Sequence, residues 1–151
     1  MSYSVTGFIS KSICVQQICA EYPFLRAVPL EQEFSLFPLT DKLLENLLFS
    51  HSKHLRELNN LPNELTDLLA KLSVICPLLY FETEYFGGMG NQSAIVFENG
   101  KIIFGPAKAA IGPINEGLRL LGVIIESTGD EFDAIGLGKY RSAEDWLKLG
   151  E

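Results

Sequence analysis

Apolar residues recur every three or four positions in three segments of the N-terminal half, the pattern of an α-helix with one buried side. The clearest segment starts near residues 60–62 and ends before Pro77, with a leucine stripe between them. Another follows Cys14 and ends at Pro23, because proline cannot continue a helix. A third is predicted after Thr40, whose hydroxyl is a favourable N-cap for the leucine-rich stretch that follows.

Two further helices are predicted in the C-terminal part of the chain. Pro113 suits the first position of a helix, and Gly122 suits the residue just after its end. Ser142 and Asp145 have the spacing of a capping box and begin a final helix over 143–149.

After position 77 the apolar pattern changes to that of β-strands. Residues 78–86, LLYFETEYF, are rich in aromatic side chains and predict a strand. The apolar runs 93–98 and 101–105 flank Asn99-Gly100, a strong signal for a β-hairpin because a type I′ turn needs positive φ at both positions. Shorter strands are expected over 5–10, 24–28, 34–37 and 123–126.

These elements together predict an α+β fold, with an antiparallel sheet and helices packed on one face of it. The chain has 151 residues, which is the size of one domain and enough to bury a sizeable core. No internal repeat or low-complexity linker interrupts it, so residues 1–151 are interpreted as a single domain.

Charge narrows the class of partner. The net charge is −7 and the isoelectric point about 4.8, with no basic run. Nucleic-acid binding is therefore not expected, since it needs cations that neutralise phosphates. An acidic surface keeps a protein soluble and also speeds its encounter with a basic partner.

Location and redox state follow from the absence of other signals. No apolar run approaches the roughly 20 residues of a membrane helix, and the N-terminal residues do not resemble a signal peptide. A cytoplasmic location and no membrane association are therefore expected. The odd set Cys14, Cys19 and Cys76 argues against a disulfide framework and predicts three small buried thiols.

The stretch YFGGMGNQS, residues 85–93, resembles a phosphate-binding loop only in its glycine content. It connects two predicted strands, whereas phosphate-binding glycine loops lead from a strand into a helix. We interpret it as a long hairpin loop or glycine bulge, which also presents a binding surface. Its candidate binding residues are Tyr85, Phe86, Gly87, Gly88, Gly90, Asn91 and Gln92.

Acidic residues form two further candidate groups. Glu82 and Glu84 lie two apart on one strand face, an arrangement that suits either a contact surface or, if buried, general acid–base chemistry. The second group is the segment DEFD, with Asp130, Glu131 and Asp133. With Glu126 it could hold a divalent cation, but calcium-loop spacing is absent, and acids near a helix N-terminus stabilise the helix dipole in any case. Neither this group nor the pair His51 and His54 supplies a full ligand set, so no metal or cofactor is predicted.

Three strings in residues 82–146 resemble a group of small bacterial proteins of unknown or loosely assigned role. They are ETEYFGGMGNQSAIVFENGKI, INEGLRLLGV and GDEFDAIGLGKYRSAEDW. Some of those proteins resemble immunity proteins that neutralise a toxin domain by binding it. The resemblance implies a binding protein and carries no catalytic residues.

The sequence therefore favours a non-enzymatic binding protein, an immunity or inhibitor protein that occludes a basic protein partner. Acidic side chains would steer the partner, and Tyr80, Tyr85 and Phe86 would anchor it. One alternative is a small enzyme or small-molecule binder with a pocket between the glycine loop and the DEFD segment. Another is a homo-oligomeric structural module.

Overall fold

The computed structural model describes residues 2–40, 43, 63–87, 89–125 and 129–149. Seven strands within these ranges form one antiparallel sheet in the order β3-β4-β2-β5-β6-β7, with β1 beside β5. The strands are β1 (Ser2–Tyr3), β2 (Thr6–Lys11), β3 (Val28–Pro29), β4 (Phe34–Pro38), β5 (Leu78–Phe86), β6 (Met89–Glu98) and β7 (Lys101–Ala109).

Five α-helices are described in the same ranges. They are α1 (Val15–Glu21), α2 (Asn63–Ile75), α3 (Pro113–Leu121), α4 (Glu131–Ala134) and α5 (Ala143–Leu149). Four of them confirm helices expected from the apolar pattern. The helix predicted after Thr40 is seen only at its start, where the Leu43 amide donates to Thr40 Oγ1 at 3.1 Å; its remainder lies outside the described residues.

Hydrophobic cores occupy both faces of the sheet. Leu79 and Phe81 pack on one face with α3 and α5, whereas Leu78 and Tyr80 pack on the other with α1 and α2. The α+β class with an antiparallel sheet is confirmed, but the expectation that helices cover only one face is wrong. The reason is visible in β5 and β6, where six consecutive positions are buried, as in a strand covered on both sides.

The predicted hairpin at Asn99-Gly100 is confirmed. Both residues have positive φ, 52° and 83°, and Glu98 pairs with Lys101 on either side of the turn. This turn sets the pairing of β6 and β7 next to it, and the register shifts further along, between Ala94 and Phe97.

Two of the shorter predicted strands differ in the structure. Of residues 24–28, only Val28 is extended in a strand, and residues 123–125 form no strand. Instead, the Gln32 side chain bonds both backbone polar groups of Ile124, as a neighbouring strand would. It donates from Nε2 to the Ile124 carbonyl at 2.7 Å and accepts from the Ile124 amide at 3.0 Å.

Cys14 and Cys76 form a disulfide, with their Cα atoms 6.3 Å apart. The expectation of three reduced thiols is therefore wrong for this pair. The fold brings the residue before α1 against the residue after α2, and a separation of 62 positions gave no local sign of it. Cys19 stays a free, half-buried thiol, and burial raises its pKa.

Candidate functional site

The outer half of the β5–β6 hairpin carries three cross-strand pairs on one face of the sheet. From the sheet interior to the tip they are Glu82–Ser93, Glu84–Asn91 and Phe86–Met89. We call these six residues the hairpin strip. Exposure of the side chains increases along the strip. The first pair is buried, the second is exposed, and the apolar side chains of the third are 79% and 80% exposed.

A cleft of about 540 Å³ opens above the hairpin strip. Beyond the strip, its described lining includes Thr6, Thr40, Lys108 and Glu144. The described lining thus has the carboxyl groups of Glu82, Glu84 and Glu144 against one ammonium group. The local charge has the same sign as the whole chain, so the cleft suits a cationic group.

Glu82 lies at the floor of this cleft, and Tyr80 lies two residues further into the sheet on the same strand face. The Tyr80 hydroxyl donates to Glu82 Oε2 at 2.8 Å, and both side chains are buried. Burial raises the pKa of Tyr80 well above its ordinary value, and the negative charge and the hydrogen bond of Glu82 raise it further. Because Tyr80 is fully enclosed, it cannot anchor a partner as the sequence suggested.

Replacing Tyr80 with phenylalanine should change how stability depends on pH. An unfolded tyrosine ionises near pH 10, whereas buried Tyr80 keeps its proton. Its contribution to stability is therefore complete below about pH 10, and falls above it by up to about 1.4 kcal/mol per pH unit. Tyr80→Phe should cost about 1–3 kcal/mol at pH 7, because Glu82 loses a buried donor, yet show a shallower decline above pH 10.

Urea unfolding of both proteins at pH 7, 9, 10 and 11 and constant ionic strength measures this. Some decline should persist in the variant, because the pKa of Tyr3 is also raised, by burial and then by Tyr85. Parallel stability curves for the two proteins above pH 10 would contradict the assignment of a proton held on Tyr80.

The glycine-rich stretch connects strand to strand, which agrees with the hairpin interpretation and not with a phosphate-binding loop. The loop of this hairpin is shorter than expected, because strand pairing continues to Phe86 and Met89. Gly87 has φ of 61° and open space around it. A Cβ on Gly90 would meet the backbone of β5, at the Glu84 carbonyl oxygen and 2.7 Å from Tyr85 Cα. Gly88 lies outside the described residues.

Tyr85 and Gln92 point to the opposite face and brace the connection into α3. Gln92 Oε1 accepts a hydrogen bond from the Ile114 amide at 2.8 Å, and its Nε2 donates to the Tyr85 hydroxyl at 3.0 Å. The Tyr85 hydroxyl in turn donates to the Ala110 carbonyl. These two candidate residues therefore hold the N-terminus of α3 and do not line the cleft.

The DEFD segment also lies on the α3 face, where two of its acids have structural partners. Asp130 caps α4 by accepting from the Asp133 amide at 3.0 Å, and it accepts from Asn115 Nδ2 at 3.0 Å. Buried Glu131 pairs with Arg119 Nε at 3.0 Å. The sheet therefore separates these acids from Glu82 and Glu84, and none of the three acids of the DEFD segment lines the cleft.

In the described part of the chain, no three His, Cys, Asp or Glu side chains lie close enough together to bind a metal ion. His51, His54 and Glu126 lie outside the described residues. None of the described helices is long and apolar enough to cross a membrane.

The cleft includes residues that sequence reasoning missed. Thr6 and Lys108 arrive from strands on either side of the β5–β6 hairpin, and Glu144 arrives from α5. Strand order places Thr6 and Lys108 there, and the packing of α5 beside the sheet places Glu144. Met89 and Ser93 could have been found, because a tight hairpin register pairs them with Phe86 and Glu82.

Comparison with known proteins returned no matching family model, no matching curated protein and no matching solved structure. The functional interpretation therefore depends on the geometry of the cleft and the hairpin strip.

Proposed function

We propose that this protein is a non-enzymatic binding protein that occludes a basic protein partner. The observation that carries the proposal is the cleft itself, where exposed carboxylates lie beside two large, exposed apolar side chains. Protein interfaces combine such apolar anchors with a polar rim. An immunity or inhibitor role is the form of this function that we favour.

The state of the other acids supports binding over catalysis. Asp130 and Glu131 serve as a helix cap and an ion-pair partner, whereas Glu84 and Glu144 are exposed in the cleft. Glu82 is hydrogen-bonded to Tyr80 and buried, whereas Glu84 is exposed. The hydrogen bond from Tyr80 gives Glu82 a structural role, which favours binding over general acid–base catalysis by this pair.

The net charge of −7 adds a kinetic advantage to this function. A negative protein attracts a positive partner over several ångströms, and this attraction weakens as salt screens it. Association with the partner is therefore expected to slow as ionic strength increases.

Affinity capture from the native host, against an unrelated acidic protein as control bait, tests the proposal. We expect one stoichiometric basic protein to remain on this chain alone, and to be released progressively as the salt in the wash increases. A solution-mass measurement beforehand separates this result from self-association. Capture of nothing beyond the control, in low salt, would contradict the proposed function.

The location of the protein bears on which partners it meets. A cytoplasmic location is the proposal from sequence, but the Cys14–Cys76 disulfide is typical of oxidising compartments. Rapid alkylation of thiols in intact cells decides between them, since a cytoplasmic protein would be labelled at all three cysteines and an exported one at Cys19 alone.

The size of the cleft favours a second candidate, a small-molecule binder. Its volume of about 540 Å³ lies within the range of roughly 300–1,000 Å³ found for ligand pockets. A ligand that binds only the folded state would raise the melting temperature. A thermal-shift screen of cationic metabolites and metals with no stabilising compound would remove this candidate.

A further inference from the structure

The proposed function leaves open which surface contacts the partner and what that surface selects. The hairpin strip is the best-defined candidate, since its outer two pairs are exposed and directly opposed on neighbouring strands. We infer that the strip receives a single lysine or arginine side chain of the partner, with the cation at Glu84 and the aliphatic stem lying across Phe86 and Met89. This inference rests on the proposed function.

Spacing along the strand supports this arrangement. Glu84 and Phe86 are two residues apart on β5, so their side chains leave the same face roughly 6.5 Å from each other. Lysine and arginine place a charged head at the end of an aliphatic stem, and they commonly lay that stem along apolar surface. The strip has the matching order, with the apolar pair at the tip and the carboxylate one rung inward.

Within the described ranges, the apolar pair at the tip has no packing role that explains it. Phe86 and Met89 are 79% and 80% exposed and belong to neither hydrophobic core. Aromatic rings and methionines are enriched where proteins bind one another, and a phenyl ring attracts a cation above its face. Their direct pairing at the hairpin tip thus provides a continuous apolar surface along which an aliphatic stem can lie.

The polar residues beside the apolar pair favour a single cation. Asn91 faces Glu84 across the strip, and its amide can accept from a guanidinium or ammonium group. Lys108 lies on the next strand, opposite Ser93, and would repel a second positive charge. A peptide segment with one basic residue between apolar neighbours therefore fits better than a polybasic tract.

Methionine-methyl NMR gives a direct test with defined probes. The chain has two methionines, Met1 and Met89, so methyl labelling reports on the tip of the strip with almost no overlap. The probe is a capped pentapeptide, acetyl-Ser-Leu-Arg-Leu-Ser-amide, titrated into the full chain. Its matched control carries citrulline in place of arginine, which keeps the shape and removes the charge.

We expect the arginine peptide to shift the Met89 methyl signal with saturation. The citrulline peptide should bind at least about tenfold more weakly, the loss typical of an interface hot spot. Phe86→Ala should weaken the arginine peptide by a similar factor, and its exposed position predicts an unchanged fold. Equal shifts from both peptides, or no shift of Met89 up to several millimolar peptide, would overturn the inference.

Failure of the inference and failure of the proposed function give different results. If affinity capture yields a basic partner whose binding is unaffected by Phe86→Ala, occlusion stands and the strip is not its surface. If the arginine peptide binds the strip specifically but no host protein is captured, the strip recognises a cation and the occlusion of a protein partner is wrong.

Discussion

Replacing Gly90 with alanine is expected to lower the free energy of unfolding by about 3–5 kcal/mol, the largest loss among the predicted changes. The added Cβ would meet the Glu84 carbonyl oxygen and Tyr85 Cα, and both are backbone atoms of the paired strand. Neither can move without breaking strand pairing at the hairpin strip. The loss therefore combines steric strain with weaker pairing of β5 and β6.

Gly87→Ala is the matched control in the same turn. Its φ of 61° disfavours a side chain, but open space surrounds the position. A cost of about 1–2 kcal/mol is expected there, from backbone conformation alone. Urea unfolding of the two variants measures the difference, and similar losses would show that close approach of β5 is not the reason for glycine at position 90.

Loss of the Cys14–Cys76 disulfide is expected to cost about 2–4 kcal/mol, the second largest effect. The bond joins residues 62 positions apart, so breaking it releases a long loop and increases the conformational freedom of the unfolded chain. It also frees the start of α1 from the end of α2. For a chain of this size the melting temperature should fall by roughly 10 °C.

Thermal unfolding with and without a reducing agent measures this effect, and the double variant Cys14→Ala/Cys76→Ala provides the comparison. The reducing agent should lower the melting temperature of the natural chain and leave that of the double variant unchanged. Cys19→Ala controls for loss of the free thiol. A natural chain that melts at the same temperature in both conditions would show that this bond contributes nothing to stability.

Local signals in the sequence predicted the elements of the fold well. The Asn99-Gly100 turn, the proline-bounded helices and the Ser142 cap depend on neighbours within a few positions, and each is confirmed. The coverage of both sheet faces was missed, although continuous apolar runs in β5 and β6 indicated it. The disulfide could not be predicted, because it depends on how α1 and α2 pack on the same face of the sheet.

The candidate site was predicted only in part, for a related reason. The alternation of β5 correctly places Glu82, Glu84 and Phe86 on one face. The alternation could not show that Tyr80 is fully buried and bonded to Glu82, or that the Gln92 side chain bonds the N-terminus of α3. Those outcomes depend on which helix covers which part of each face, and that information is distributed over the whole chain.

We propose that Glu84 contacts the cation directly and does not merely add to a general negative field. Glu84→Gln and Glu98→Gln are the most direct comparison, because both remove one charge from an exposed position, Glu84 within the strip and Glu98 at the opposite end of β6. The measurement is the dissociation constant of the arginine peptide for each variant at one ionic strength. We expect a weakening of about tenfold for Glu84→Gln and less than about twofold for Glu98→Gln; equal weakening by the two variants would show that Glu84 acts only through the general field.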